Sequence, residues 1–242
     1  MKLVFAYIII FLSLLIGETG SFEKGVAFYD SRSEGVVGYN VKPDPIENAI
    51  KQFKKAFLES ELDAGIYLMR SYYFKGKFIS KNDEEKKKVF SKGKDLGEKL
   101  IISYPESAAA RYWFLVNLGS WAEVYGTMAA AKEGVAGLMR NHAKKIIELD
   151  PKYANGGGYF MLGAVHFKSP YIPFILSWPD NDIALKNLEK AYGVGISTPS
   201  QTVYLARVLH KDGQKDRAIS TLLDLLKQPY SLNEKIEDFD QH

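Results

Sequence analysis

Four histidines, His142, His166, His210 and His242, are the side chains best suited to proton transfer or metal binding near neutral pH, and their spacing supports neither role. None is paired with another at the i,i+4 spacing of a helical metal site, and no zinc-protease pattern surrounds them. Cysteine is absent, which removes disulfides, thiolate catalysis and thiolate zinc sites. Ser120 stands in Leu118-Gly119-Ser120-Trp121, which lacks the second glycine of a nucleophile elbow. Lys92-Gly93-Lys94 has no phosphate loop around it, and Gly156 to Gly158 is not followed by Lys and Ser or Thr. That glycine run reads instead as a helix entry that needs free backbone angles. No catalytic residue, metal or cofactor is assigned.

Aromatic side chains carry the stronger signal. Trp113, Trp121, Tyr125, Tyr159, Phe160, Phe167, Tyr171, Phe174 and Trp178 crowd the middle of the chain. Between Ser169 and Pro179 lies an apolar, aromatic insertion holding three prolines, which reduce its backbone entropy. Such a loop must fold over the body or line a cavity. The expectation is a hydrophobic groove or tunnel lined by Trp121, Phe174 and Trp178 and extended by Trp113, Tyr125 and Tyr159. Its polar points would be Asn117, His166 and Asp180. A lining of that kind suits an apolar ligand with one polar end.

The elements that must position these residues are helices in a repeating pattern. Ala184, Leu188 and Ala191 form small-x3-large-x2-small, and adding 34 to each number gives Ala218, Leu222 and Leu225. Leu205, Ala206 and Leu209 make the stripe of an intervening helix, and Gly213 marks the turn before the last one. This is the arithmetic of a tetratricopeptide repeat, two antiparallel helices in 34 residues with a small residue at their closest approach. The fold class expected is all-α, an α-hairpin solenoid of about four helix pairs over residues 43–230, two of them with insertions.

Upstream, Pro43-Asp44-Pro45 opens a helix, with Asp44 expected to accept from unpaired backbone donors and Pro45 at the first helical position, and in it Ala49, Phe53 and Ala56 repeat the same spacing. A helix from about Leu62 to Phe74 ends at Gly76, and the next begins at Asn82 or Asp83, with acids in its first turn where the helix dipole favours them. A long helix is expected from Ala108 to about Ala130, with its partner from about Glu133 to Leu149-Asp150-Pro151. Pro105 and Pro151 are 46 positions apart, so longer helices are expected to absorb about twelve extra residues. His166 is expected as a hydrogen-bonded core residue.

The ends read differently. Lys2 precedes an almost wholly apolar run, Leu3 to Ile16, which as helix rises only about 21 Å, short of a bilayer core. Residues 1–21 therefore read as a signal peptide cleaved after Ser21, giving a periplasmic or secreted protein; the other reading is an uncleaved inner-membrane anchor. Residues 22–42, with Gly25, Gly35 and Gly38, read as a flexible linker, and residues 231–242 as an acidic tail expected to fray. The formal net charge of +3 is dispersed among acids, which argues against nucleic acid as a partner.

Ala110-Arg111-Tyr112-Trp113, Asn117-Leu118-Gly119, Ile147-Glu148-Leu149-Asp150-Pro151, Gly156-Gly157, Leu162-Gly163-Ala164 and the proline-rich insertion together resemble the TRAP transporter T-component family of exported repeat proteins. That resemblance implies an all-helical body with a central hydrophobic cavity or pore. It also implies association with a periplasmic substrate-binding protein and leaves room for a homo-oligomer. Members are typically lipoproteins, and this chain has no cysteine to acylate. The stretch from Pro105-Glu106-Ser107 to Gly119 is also similar to the animal regulator of microtubule dynamics proteins. The function expected is an exported, non-catalytic binding protein holding a protein partner and an apolar small molecule; the alternative is an envelope scaffold for protein partners alone.

Overall fold

The computed structural model describes residues 20–34, 41–174 and 176–227, and among them the regular structure is all helical. The apolar run of the expected signal peptide and the acidic tail lie outside the described residues. Among the described residues eleven α-helices follow in order: α1 (Ser21–Asp30), α2 (Pro43–Ala56), α3 (Glu61–Phe74), α4 (Asp83–Ser103), α5 (Ala108–Tyr125), α6 (Thr127–Lys132), α7 (Val135–Leu149), α8 (Tyr153–Lys168), α9 (Asn181–Val194), α10 (Pro199–Lys211) and α11 (Lys215–Lys227). A π-helical turn, Lys75–Ile79, extends α3.

Each long helix packs on its neighbours in sequence, and α1, α3, α5, α8 and α10 also touch one another in succession. Those five form one layer of the stack, and α2, α4, α7, α9 and α11 alternate with them in the other. The pairing is that of an α-hairpin solenoid, as the 34-residue spacing predicts. Ala184, Leu188 and Ala191 are buried in the contact between α8 and α9. Gly163 explains how close that contact is, since a Cβ there would lie 2.6 Å from Leu188 Cγ. Ala218 is buried in the equivalent seat, but Leu222 stays exposed, because no later described helix covers it.

Three expectations are corrected. Residues 21–30 are helix α1 rather than linker, which makes five hairpins among the described residues. The reason lies in Gly25, which is a contact point and not a hinge: a Cβ there would meet the Phe53 ring at 2.6 Å, so the glycine lets α1 lie flat on α2. The long helix expected to reach Ala130 stops at Tyr125, because Gly126 takes φ 87° and turns the chain into the short α6. The extra length of that repeat therefore forms a short additional helix between α5 and α7 rather than longer partners. Finally, Lys42 rather than Asp44 caps α2, with Pro43 at the first helical position.

The other helix starts follow their sequence signals. Asn82 accepts from the Glu85 N–H at 3.0 Å, Ser107 from Ala110 at 3.1 Å and Asp180 from Ile183 at 2.9 Å. Thr198 and Gln201 form a reciprocal capping box at α10.

Candidate functional site

The structure distributes the nine expected lining residues over several places. Trp121 is buried in the central core, and its ring stacks on Tyr125 with centroids 4.3 Å apart and planes 20° from parallel. Lys94 and Lys87 cover the two rings from outside, with their Nζ atoms 5.7 and 5.3 Å from the centroids of Trp121 and Tyr125. Asn117 is wholly buried and ties helices together through its amide. Trp113 packs beside Tyr73 and Tyr112, with the Arg70 guanidinium 5.3 Å from its ring centroid. Tyr159 sits under Lys190, away from that group.

His166, Trp178 and Asp180 do come together. The His166 ring meets Trp178 edge-on at 4.9 Å, and Arg140 lies over the same indole at 4.7 Å. Burial, with the nearby Arg140 and Lys144, holds the imidazole below its usual pKa, and Asp180 acts in the other direction. The expected hydrogen-bonded core histidine is thus buried but held by ring contact, since its Nδ1 has no hydrogen-bond partner among the described residues. Asp180 itself is engaged in capping α9.

Phe174 is the clear correction. It is fully exposed, at 102% of its reference area, and lines nothing. The backbone explains why: Ile172 and Leu176 exchange N–H to carbonyl hydrogen bonds at 2.9 and 2.8 Å, which folds the insertion into a tight reversal with Phe174 at its tip and φ at 65°. Among the described residues of the insertion, Trp178 is the one packed against the central core.

A half-buried polar pair escaped the sequence reading. Arg111 donates through Nε and Nη2 to the Pro105 carbonyl at 3.0 and 2.6 Å, and through Nη1 to His142 Nδ1 at 2.8 Å. A guanidinium can only donate, so His142 accepts at Nδ1 and carries its proton on Nε2. Burial and then Arg111 push the His142 pKa down. The pair holds the α4–α5 turn against α7. Among the described residues no three His, Asp or Glu side chains gather as metal ligands do.

An open hollow lies elsewhere, at the last hairpin. A groove of about 450 Å³ is lined by Phe167 of α8, by Val203, Ala206, Arg207, His210 and Lys211 of α10, and by Ala218, Ile219 and Leu222 of α11. Its floor is apolar and its rim basic. Arg207 and Lys211 lie over the Phe167 ring at 5.5 and 5.3 Å and have no carboxylate partner among the described residues. The apolar surface continues along α11, where Ile219 is 57% and Leu226 80% exposed. The sequence carried a sign of this face: Val203, Ala206, Arg207 and His210 follow one another at i, i+3, i+4 and i+7. The stripe of Leu205, Ala206 and Leu209 drew attention to the packed side of the same helix.

The geometry agrees with what the chain resembles. It is similar to TTC0263, a thermophilic TPR protein of Thermus thermophilus, with a TM-score of 0.58 and 17% identity over 89% of this chain and 94% of that one, a likeness that concerns the fold. It is 27% identical over 131 residues to regulator of microtubule dynamics protein 3 of Rattus norvegicus, which covers 54% of this chain and 26% of that relative's length. The model of the family described as Regulator of microtubule dynamics protein 1-3 matches residues 38–174, more than half of the sequence. Of the two families that the sequence resembles, this chain therefore belongs to the regulator of microtubule dynamics protein 1-3 family.

Proposed function

We propose that the protein is a non-catalytic protein-interaction module that binds an acidic, amphipathic helix of a partner in the groove of the last hairpin. The observation that carries this reading is an apolar floor of Phe167, Ala206, Ala218 and Ile219 beneath Arg207 and Lys211, cations with no carboxylate partner among the described residues. Helix-in-groove recognition needs apolar anchors at i, i+4 and i+7 and a rim of opposite charge to set orientation. The repeat fold supports the general role, since stacked hairpins present extended faces to partners. The partner class is read from the groove and not from the relative's name, because the match spans 26% of that relative.

The test uses two synthetic helices with the same leucine stripe, one filled with glutamate and one with lysine. Fluorescence anisotropy is expected to show the acidic helix binding at least about tenfold more tightly, a difference of about 1.4 kcal/mol. Arg207→Glu with Lys211→Glu is expected to reverse the preference. Equal weak binding of both peptides would remove the proposal.

A second reading has a periplasmic substrate-binding protein as the partner and an apolar small molecule as cargo. It is supported by the resemblance to the TRAP transporter T-component family and by the export-type segment Lys2 to Ile16. Export to the periplasm or beyond belongs to this proposal, and cell fractionation of the intact chain tests it. For the cargo, native mass spectrometry of protein purified without detergent is expected to show a co-purifying apolar compound.

A further inference from the structure

The guanidinium of Arg70 is explained neither by the core nor by the groove. It is half-buried, it makes no ion pair among the described residues, and its Nε is buried with no hydrogen-bond partner. Aromatic rings surround it instead. Its Cζ lies 4.6 Å from the ring centroid of Tyr67, 4.8 Å from that of Tyr29 and 5.3 Å from that of Trp113. Tyr153 is near enough to act on its charge. Four successive helices of one layer supply these groups: α1 gives Tyr29, α3 gives Tyr67 and Arg70, α5 gives Trp113, and α8 opens with Tyr153.

Ring faces attract a cation but do not neutralise it, and phenols are uncharged near pH 7. Burial pushes the Tyr153 pKa up further, so that hydroxyl keeps its proton and can donate. Asp150 acts on Tyr153, but its carboxylate is engaged at the entry of α8, accepting from the Lys152 and Tyr153 N–H groups at 2.9 and 3.1 Å. Arg32 shares the Tyr29 ring, with its Cζ 4.2 Å from the centroid, yet it is itself buried and donates to the Tyr29 carbonyl at 2.8 Å. A cation partly withdrawn from water is therefore left without an anion, which is a costly arrangement unless an anion arrives from outside.

We propose that Arg70 anchors a second binding site, which takes a carboxylate borne beside an aromatic or aliphatic side chain in a peptide segment of a partner protein. The two Nη nitrogens at the far end of the guanidinium present parallel donors that match a carboxylate, and the buried Nε turns that end outward. The half-buried rings of Tyr67 and Trp113 offer flat apolar surface to the flanking side chain. A single cation suits the one charge of a carboxylate better than the near-double charge of a phosphate ester. The site stands apart from the groove of α8, α10 and α11 and does not depend on the reading given to that groove.

The experiment titrates the full chain, labelled with nitrogen-15, with two end-capped pentapeptides, Ser-Phe-Glu-Phe-Ser and Ser-Phe-Gln-Phe-Ser. The glutamate peptide is expected to bind at least about tenfold more tightly and to move the Trp113 indole N–H and the Arg70 Nε–H resonances. Arg70→Met, which keeps the length and loses the charge, is expected to reduce its affinity to that of the glutamine peptide. The comparison of the two peptides needs no variant, so it decides even where Arg70→Met fails to fold. Equal binding of the two peptides would overturn the proposal, as would a glutamate preference that survives in folded Arg70→Met. Shifts confined to α10 and α11 would place the peptide in the groove and overturn it too. Inorganic phosphate that displaces the glutamate peptide at equal concentration would assign the site to phosphate instead of a peptide carboxylate.

Discussion

The amide of Asn117 occupies the space that a side chain on Gly93 would need: a Cβ built there would lie 2.0 Å from Asn117 Oδ1 and 2.3 Å from its Cγ. From that position Asn117 Nδ2 donates to the Met69 carbonyl at 3.1 Å and to the Trp113 carbonyl at 2.9 Å. One buried side chain on α5 thus links α3 and fixes how closely α4 passes. Gly93→Ala would expel the amide and break both of its buried hydrogen bonds, at a cost of roughly 2 to 4 kcal/mol in urea unfolding. Gly137→Ala is the control, since a Cβ there meets nothing within 4 Å; it is expected to raise stability by about 0.5 to 1 kcal/mol. Equal effects at the two glycines would refute the assignment.

Two histidines, the buried His166 and the half-buried His142, make stability depend on pH. The pKa of His142 is lowered by burial and then by Arg111, and that of His166 by burial and then by Arg140, so each is below its ordinary value when folded. Between the folded and unfolded values the unfolded chain binds more protons, so stability rises with pH there and is lost as pH falls below about 6.5. The slope is bounded by one proton per histidine, about 1.4 kcal/mol per pH unit each. Protonating His142 would also set a donor against the Arg111 Nη1 donor. Urea midpoints from pH 7.5 down to 5.5 are expected to fall, and less so in His142→Gln, which keeps an acceptor. A parallel fall in the variant would remove His142 from the account.

How far the sequence disclosed this molecule depends on the range of the interaction involved. Spacing at 34 residues exposed the α8 to α11 hairpins because small residues recur wherever two helices must touch, and Gly163 and Ala184 do touch. Gly25 misled because a glycine that permits helix contact and one that permits a bend look the same in a string; only the Phe53 ring beside it tells them apart. The aromatic site was half legible. His166, Trp178 and Asp180 do come together, but Trp121 stacks on Tyr125 apart from them, and the exposure of Phe174 follows from a backbone reversal that composition does not encode. The groove was missed because it depends on which face of α10 lacks a neighbour, a property of the stack's end and not of the helix.

That difference between a covered and an uncovered seat gives a stability test. Ala184 is completely buried against α8, whereas Ala218 lines the open groove. Ala184→Leu is expected to cost about 1 to 3 kcal/mol by overpacking. Ala218→Leu can place its extra volume in the groove and is expected to cost less, while weakening the binding of any helix there. Calorimetry and anisotropy on the same two variants check both halves. Equal loss of stability would mean that the groove is closed to side chains.

The entry of α8 offers two neighbouring substitutions with opposite signs. Ala154, Asn155 and Gly156 take φ of 50°, 52° and 78°, so three successive residues are left-handed before the regular helix begins. The Gln201 side chain fixes this turn by donating to the Asn155 carbonyl at 2.9 Å, across to α10. An alanine in that region costs about 1 to 2 kcal/mol, so Ala154→Gly is expected to raise stability by about 0.5 to 1 kcal/mol after the added freedom of the unfolded chain is counted. Gly156→Ala faces the same backbone penalty together with contacts of 3.1 Å to Ala191 Cα and Val194 Cβ. It is expected to cost about 2 kcal/mol or more, since α9 backbone cannot withdraw as a side chain would. Chemical denaturation of the two variants decides: the same sign at both positions would mean that the left-handed turn is not the native conformation of this helix entry.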